Sequence, residues 1–253
     1  MADLNKRCPT GIPGFDELID GGLPRNRSIL LSGTCGTGKT TFAAQFLYNG
    51  VVKYDEAGIL VTLEQDAEEM RHDLLHYGLD LKKLENAGKL ILIDTSLSKI
   101  GFKEVVTNIP GVPTKSFSLL PGEFDMEKIT NLTIQAARNI GARRVVIDSL
   151  PALDVLMKTG WEVRKVLLHM NYEFKSNGLT TILVSEVGEE DGISRHGVEE
   201  YIADGVVILR TNEALDIRTI KIRKMRLTKH TLKPHTLEFV DQGIVVRTPE
   251  KKL

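Results

Sequence analysis

The chain has 253 residues, a formal net charge of −1, 42% hydrophobic and 26% charged residues. That size and apolar share suit a globular protein with a sizeable core and exclude a disordered chain. The near-zero charge excludes a global basic excess for sequence-independent DNA binding, though not a local patch. Two cysteines, Cys8 and Cys35, cannot make a disulfide framework and fit a reducing, cytoplasmic setting. The first residues lack the apolar stretch of a secretory signal, and no apolar run reaches the ~18 residues of a membrane span.

In chain order, Ser28 to Ser32 is a short apolar run of the kind that forms a buried parallel strand. It enters Gly33-Thr34-Cys35-Gly36-Thr37-Gly38-Lys39-Thr40, a phosphate-binding loop pattern. The glycines let the backbone wrap an anion with its N–H groups inward. Lys39 reaches the β/γ-phosphates of a nucleotide, and the Thr40 hydroxyl ligates Mg²⁺. Helical spacing leaves the loop from Thr41 to Val52, with Phe42, Gln45, Phe46 and Asn49 recurring by threes and fours, so a helix N-terminus faces the phosphates. The pattern predicts a nucleotide as ligand, with Gly33 through Thr41 around it.

Next come a strand from Gly58 to Leu63 and a helix from about Asp66. Asp66 and Glu69 form the start signal, and Gly78 is the stop. Leu90–Asp94 is a strand. A helix near 125–140 leads to a strand over Arg144–Asp148, and another, about 161–176, leads to Thr180–Ser185. This alternation predicts an α/β fold with a mostly parallel sheet flanked by helices. The last third differs. Val206–Leu209, Ile217–Arg226, His235–Val240 and Ile244–Val246 read as an antiparallel β extension of the same sheet. No linker or repeat interrupts the chain, so residues 1–253 read as one domain. Residues 95–123 fit no element. Their glycines, prolines and apolar side chains predict a long loop that packs on its own domain, a neighbouring subunit or a partner.

Hydrolysis needs a metal anchor and a group that activates water. Asp148 closes an apolar strand, the position from which a carboxylate holds Mg²⁺ together with Thr40. Glu64 ends another strand, and the Ser185-Glu186 pair a third. The carboxyl ends of parallel strands form the ligand crevice, so all three acids are expected beside the phosphate loop, with Glu64 the candidate base. Far along the chain, alternation puts Lys224 and Arg226 on one side of a strand. They suit either a solvated basic edge or an arginine finger acting on a neighbouring subunit's nucleotide.

Together these pieces resemble the KaiC family of RecA-like ATPases. Thr10 to Leu18 with Gly21-Gly22-Leu23-Pro24 is similar to that family's opening before the phosphate loop. Val61-Thr62-Leu63-Glu64 is similar to its catalytic-glutamate strand, and Arg144 to Ser149 to its Walker B strand. Arg195 to Asp204 and Lys224-Met225-Arg226 are similar to its late motifs. The resemblance spans about residues 8–247. It implies a RecA-like fold and a homo-oligomeric ring, usually hexameric, with ATP between subunits. It also implies contacts in trans from Lys224 and Arg226, with Thr228, His230 and Asp241 as candidates around base and sugar. The sequence departs from the family in places. The clock subfamily's second catalytic glutamate is Gln65 here, and the autokinase domain's Ser-Thr pair is Glu200 and Tyr201. The resemblance is therefore to the half that hydrolyses ATP without phosphorylating itself.

Three functions compete. The first is an ATP-hydrolysing, Mg²⁺-dependent ring that changes the state of an unidentified protein partner. The second is a DNA-acting recombinase or motor. Against it, the loop over 186–196 carries Glu186, Glu189, Glu190 and Asp191 against one arginine, Arg195, and would repel phosphates. The third is a nucleotide-gated scaffold with little turnover, which Glu64 argues against.

Overall fold

The computed structural model describes residues 7–95, 116–118, 125–155, 157, 159–187 and 192–248. Two short strands, β1 (Arg7–Cys8) and β2 (Leu23–Pro24), pair antiparallel ahead of β3 (Ser28–Gly33). After the phosphate loop come α1 (Lys39–Tyr54), β4 (Gly58–Thr62), α2 (Ala67–His76), α3 (Leu81–Asn86) and β5 (Leu90–Asp94). A three-residue strand, β6 (Ser116–Ser118), precedes α4 (Met126–Ile140), β7 (Arg144–Asp148), α5 (Gly160–Ser176) and β8 (Thr180–Glu186). Then follow α6 (Glu199–Ile202), β9 (Gly205–Asn212), β10 (Ile217–Met225), β11 (His235–Val240) and β12 (Gly243–Arg247).

The main sheet has ten strands in the order β12-β11-β10-β9-β3-β8-β7-β4-β5-β6. From β9 to β6 every neighbouring pair is parallel, and from β9 to β12 every pair is antiparallel. This is the expected α/β architecture with its antiparallel extension. The central parallel strands β3, β4, β5, β7 and β8 are buried on both faces because each face is covered by helices. Period-two alternation divides the core. Ile29, Leu31, Leu60 and Val146 pack beneath α1–α3, while Leu30, Ile59, Val61, Val145 and Ile147 pack beneath α4 and α5.

Capping chemistry fixes where helices begin. Asp66 accepts from the backbone N–H groups of Glu68 and Glu69, and Thr159 and Glu162 form a reciprocal capping box. At the sheet's amino end Arg144, wholly buried, donates from Nε to Glu56 Oε2 at 2.8 Å and lies over the Phe46 ring. Arg25 pairs with the same carboxylate at 2.5 Å.

Two expectations need amendment. Part of the stretch expected as a loop supplies the edge strand β6; its other residues, 96–115 and 119–123, lie outside the described residues. The strand invoked for Lys224 and Arg226 is less regular and shorter than expected. A bulge falls between Ile222 and Lys224, and β10 stops at Met225, so Arg226 lies beyond the strand. Just past it Leu227 has φ +60°. The other positive-φ non-glycine residues described are Asp20, Asn26, Asp55 and Asp216, types that tolerate this region. A leucine there costs about 1–2 kcal/mol.

Candidate nucleotide site at the carboxyl edge of the sheet

Strand register assembles the site. Gly33 pairs with Glu186 across β3 and β8, and Thr62 with Asp148 across β4 and β7. The ends of four parallel strands therefore converge on the loop that follows β3. Gly36 and Gly38 hold φ of +73° and +97°, which glycine adopts without a Cβ penalty. At Gly38 a Cβ would also come within 2.7 Å of the Phe239 ring on β11. The antiparallel extension is thus packed against the phosphate loop.

A pocket of about 320 Å³ opens there, lined by Cys35, Gly36, Gly38, Lys39, Thr40, Glu64, Asp148, Ser149 and Glu186. Lys39 Nζ donates to Thr34 O at 2.7 Å, and Thr37 Oγ1 donates to the same oxygen at 2.9 Å. Thr41 is buried behind them. Burial lowers the Lys39 pKa, opposed by the charges of Glu186, Asp148, Cys35 and Glu64. An ammonium among acids in a polar cleft is a ready phosphate contact.

Asp148 is buried, and its pKa is pushed up to about 6. Burial is the main cause; a hydrogen bond with the Thr40 side chain opposes it, and nearby Glu64 adds to it. Glu64 sits two residues beyond β4, and its Oε2 accepts a short hydrogen bond from Ser149 Oγ. The carboxylate is thereby aimed by the residue next to Asp148. Two hard oxygen donors, the Thr40 hydroxyl and the Asp148 carboxylate, sit side by side, a donor pair that suits Mg²⁺. Clefts of about 510 and 550 Å³ lie elsewhere, so volume alone does not mark this site.

Two residues that contact the pocket had no site role assigned from the sequence. Ser149 is one. The other is Arg218 on β10, whose Nε donates to Gly36 O at 3.2 Å while its guanidinium lies 5.0 Å from the Phe239 ring centre. Spacing could not show that Arg218, rather than Lys224, occupies the phosphate end of β10.

The late residues lie elsewhere. Met225 pairs with Gly205, and Gly205 with Ile29, at the amino end of β3. Gly33 is four residues further on, roughly 13 Å away. Lys224 Nζ donates to Glu200 O at 3.0 Å and Ala203 O at 2.6 Å. Burial lowers its pKa, helped by the Arg226 charge. Arg226 Nη1 is 3.3 Å from Oδ1 of the fully buried Asp204, which also takes Arg27 and Lys175, yet the Arg226 side chain stays 56% exposed. Thr228 Oγ1 accepts from Arg7 at 2.6 Å, and His230 Nδ1 lies 3.1 Å from Thr231 O. None of Lys224, Arg226, Thr228 and His230 lines this chain's own phosphate pocket. Asp241 lines the separate 550 Å³ cleft with Gln45, Tyr48 and Gly78.

A phosphate loop after the first parallel strand of the core, with acids at the ends of neighbouring strands, defines a RecA-like P-loop ATPase. Residues 8–251 match the family model described as "ATPase: KaiC". The chain is 38% identical to the circadian clock oscillator protein KaiC of Synechococcus elongatus, over 93% of this chain and 43% of that protein. It is 37% identical to the protein of the same name from Parathermosynechococcus lividus, over 93% and 41%. It thus spans less than half the length of these curated relatives. Among solved structures, the crystal structure of a KaiC-like protein from the hyperthermophilic archaeon Pyrococcus horikoshii OT3 superposes with a TM-score of 0.80. The identity there is 37%, covering 96% of this chain and 99% of that one. The chain belongs to the KaiC ATPase family.

Proposed function

We propose that this chain is a single-domain, Mg²⁺-dependent ATPase that forms a homo-oligomeric ring, hexameric by resemblance, with nucleotide between subunits, and that it acts on a protein partner. One observation carries the reading. The pocket holds Lys39, Thr40, Glu64 and Asp148 together, while the exposed Arg226 stands at the opposite end of the sheet. A cation that cannot reach its own pocket suits a neighbour's. Such a finger contributes roughly 10³–10⁵ in rate.

Each residue then has a role. The loop N–H groups and Lys39 cradle the phosphates. Thr40 and Asp148 are the residues that would hold Mg²⁺, which when bound would neutralise charge on the nucleotide's phosphates. Glu64, oriented by Ser149, takes a proton from the water whose oxygen attacks the γ-phosphorus as the bond to the β,γ-bridging oxygen breaks. Asp204 fixes Arg226, and backbone carbonyls fix Lys224. Thr228, His230 and Asp241 are proposed around the base and sugar.

Other readings are weaker. Arg195, the one cation in the loop expected to meet DNA, pairs with Asp154 at 2.9 Å; that loop's residues 188–191 lie outside the described residues. Where the autokinase pair would stand, Glu200 accepts from Ser194 Oγ, so self-phosphorylation is not proposed. Among the described residues no helix is long and apolar enough to cross a membrane. The free Cys8 and Cys35 suit the proposed cytoplasmic setting. Phosphate release by the parent and Glu64→Gln, with and without DNA, tests the reading. The variant should hydrolyse about 10²–10⁴-fold slower with nucleotide affinity kept, and DNA should not stimulate the parent. A variant as fast as the parent would remove Glu64 from the mechanism.

A further inference from the structure

Leu227 is a contradiction within its own subunit. Its backbone holds φ +60°, which glycine or asparagine adopts more easily, and its side chain is 62% exposed. The turn does not need leucine. It is tied by Arg226 N to Asp204 O at 3.0 Å, by Arg7 Nη2 to Leu227 O at 2.8 Å, and by Thr228 Oγ1 to Arg226 O at 3.2 Å. The anchors fix the backbone and leave a largely exposed apolar side chain on it. Strained residues held by their surroundings mark functional contacts.

The neighbourhood indicates what covers it. Leu227 follows Arg226 and sits in a run of cations, Lys224, Arg226 and Lys229. The complementary surface on this same molecule is the phosphate pocket, with Glu64, Asp148 and Glu186 at its wall. Charge complementarity therefore selects a second copy of the chain. A second exposed apolar side chain, Tyr201, follows the Glu200 whose carbonyl holds Lys224.

We infer that Leu227 is an apolar anchor between subunits, seated on a second copy of this chain beside the pocket that the Lys224–Arg226 cations face. This rests on the shared-site reading of the proposed function. The conformational cost is borne by the free subunit and recovered by burying the side chain on assembly. Leucine at this position therefore favours the oligomer over the protomer.

Leu227→Gly separates the two effects, because it relieves the backbone and removes the side chain. Sedimentation velocity across a concentration series in Mg²⁺-ATP reads association. Thermal melts at concentrations where only protomers sediment read the strain. The variant should melt about 2–4 °C higher as a protomer and assemble at about tenfold or more higher concentration. Leu227→Met, which keeps an apolar chain, should assemble within about threefold of the parent. A Leu227→Gly protein that assembles at the parent's concentration overturns the inference while leaving the ring intact. A Leu227→Gly protomer that melts lower than the parent also overturns it, since Leu227 would then serve its own subunit. A parent that stays monomeric throughout overturns this inference and the ring together.

Discussion

Asp148→Asn turns the electrostatics of the pocket into a stability measurement. A carboxyl group whose pKa rises from an ordinary 3.8 to about 6 on folding favours the native state when protonated. That contribution is fully present below pH 3.8 and is lost as pH rises through about 6. By pH 7.5 the buried, ionised Asp148 costs the metal-free protein about 3 kcal/mol, and at pH 5 about half as much. Asparagine fills the same space, can still bond to the Thr40 hydroxyl and carries no charge. Urea unfolding in EDTA without nucleotide should show Asp148→Asn to be more stable than the parent by about 3 kcal/mol at pH 7.5, with the gap narrowing toward pH 5. Mg²⁺ with nucleotide should stabilise the parent and have much less effect on the variant, because the parent's carboxylate is the metal's anchor. A variant less stable than the parent at pH 7.5, or a gap that ignores pH, would refute the account of Asp148 as a destabilised carboxylate awaiting a cation.

The remaining predictions concern the phosphate loop and the segment around Glu200. Lys39→Ala removes the ammonium from the phosphate loop, and nucleotide affinity measured by calorimetry should weaken at least about thirtyfold. Intact-mass measurement after long incubation with Mg²⁺-ATP should show no added phosphate. A phosphorylated peptide within residues 194–211 would contradict the reading of Glu200 and Tyr201.

Much of this was legible in the chain, for identifiable reasons. Parallel strands buried on both faces appear as unbroken apolar runs, so β3, β4, β5, β7 and β8 announce themselves. An acid at the end of such a run falls at the carboxyl edge of the sheet wherever the strand sits, which is why Glu64, Asp148 and Glu186 could be placed beside the loop. The pairs that tune the site were not legible, because they join distant parts of the sequence. Nothing local says that Ser149 orients Glu64, that Arg218 reaches Gly36, or that Asp204 gathers Arg27, Lys175 and Arg226. The bulge between Ile222 and Lys224, which shifts Lys224 against Ile220 and Ile222 by one residue, has no local signal either. The β1–β2 pair is two residues long on each side, too short for any periodicity.

The central claim is that one subunit's finger completes another's pocket. Arg226→Ala keeps Lys39, Glu64 and Asp148 but lacks the finger; Glu64→Gln keeps the finger but lacks the base. Each alone should hydrolyse ATP slowly. After subunit exchange, confirmed by fluorescence transfer between labelled preparations, a 1:1 mixture has about a quarter of its interfaces with a good pocket facing a good finger. Phosphate release by the mixture should therefore rise well above the sum of the two variants measured separately. With exchange demonstrated, a mixture no faster than that sum would place Arg226 in its own subunit's structure and contradict the shared site.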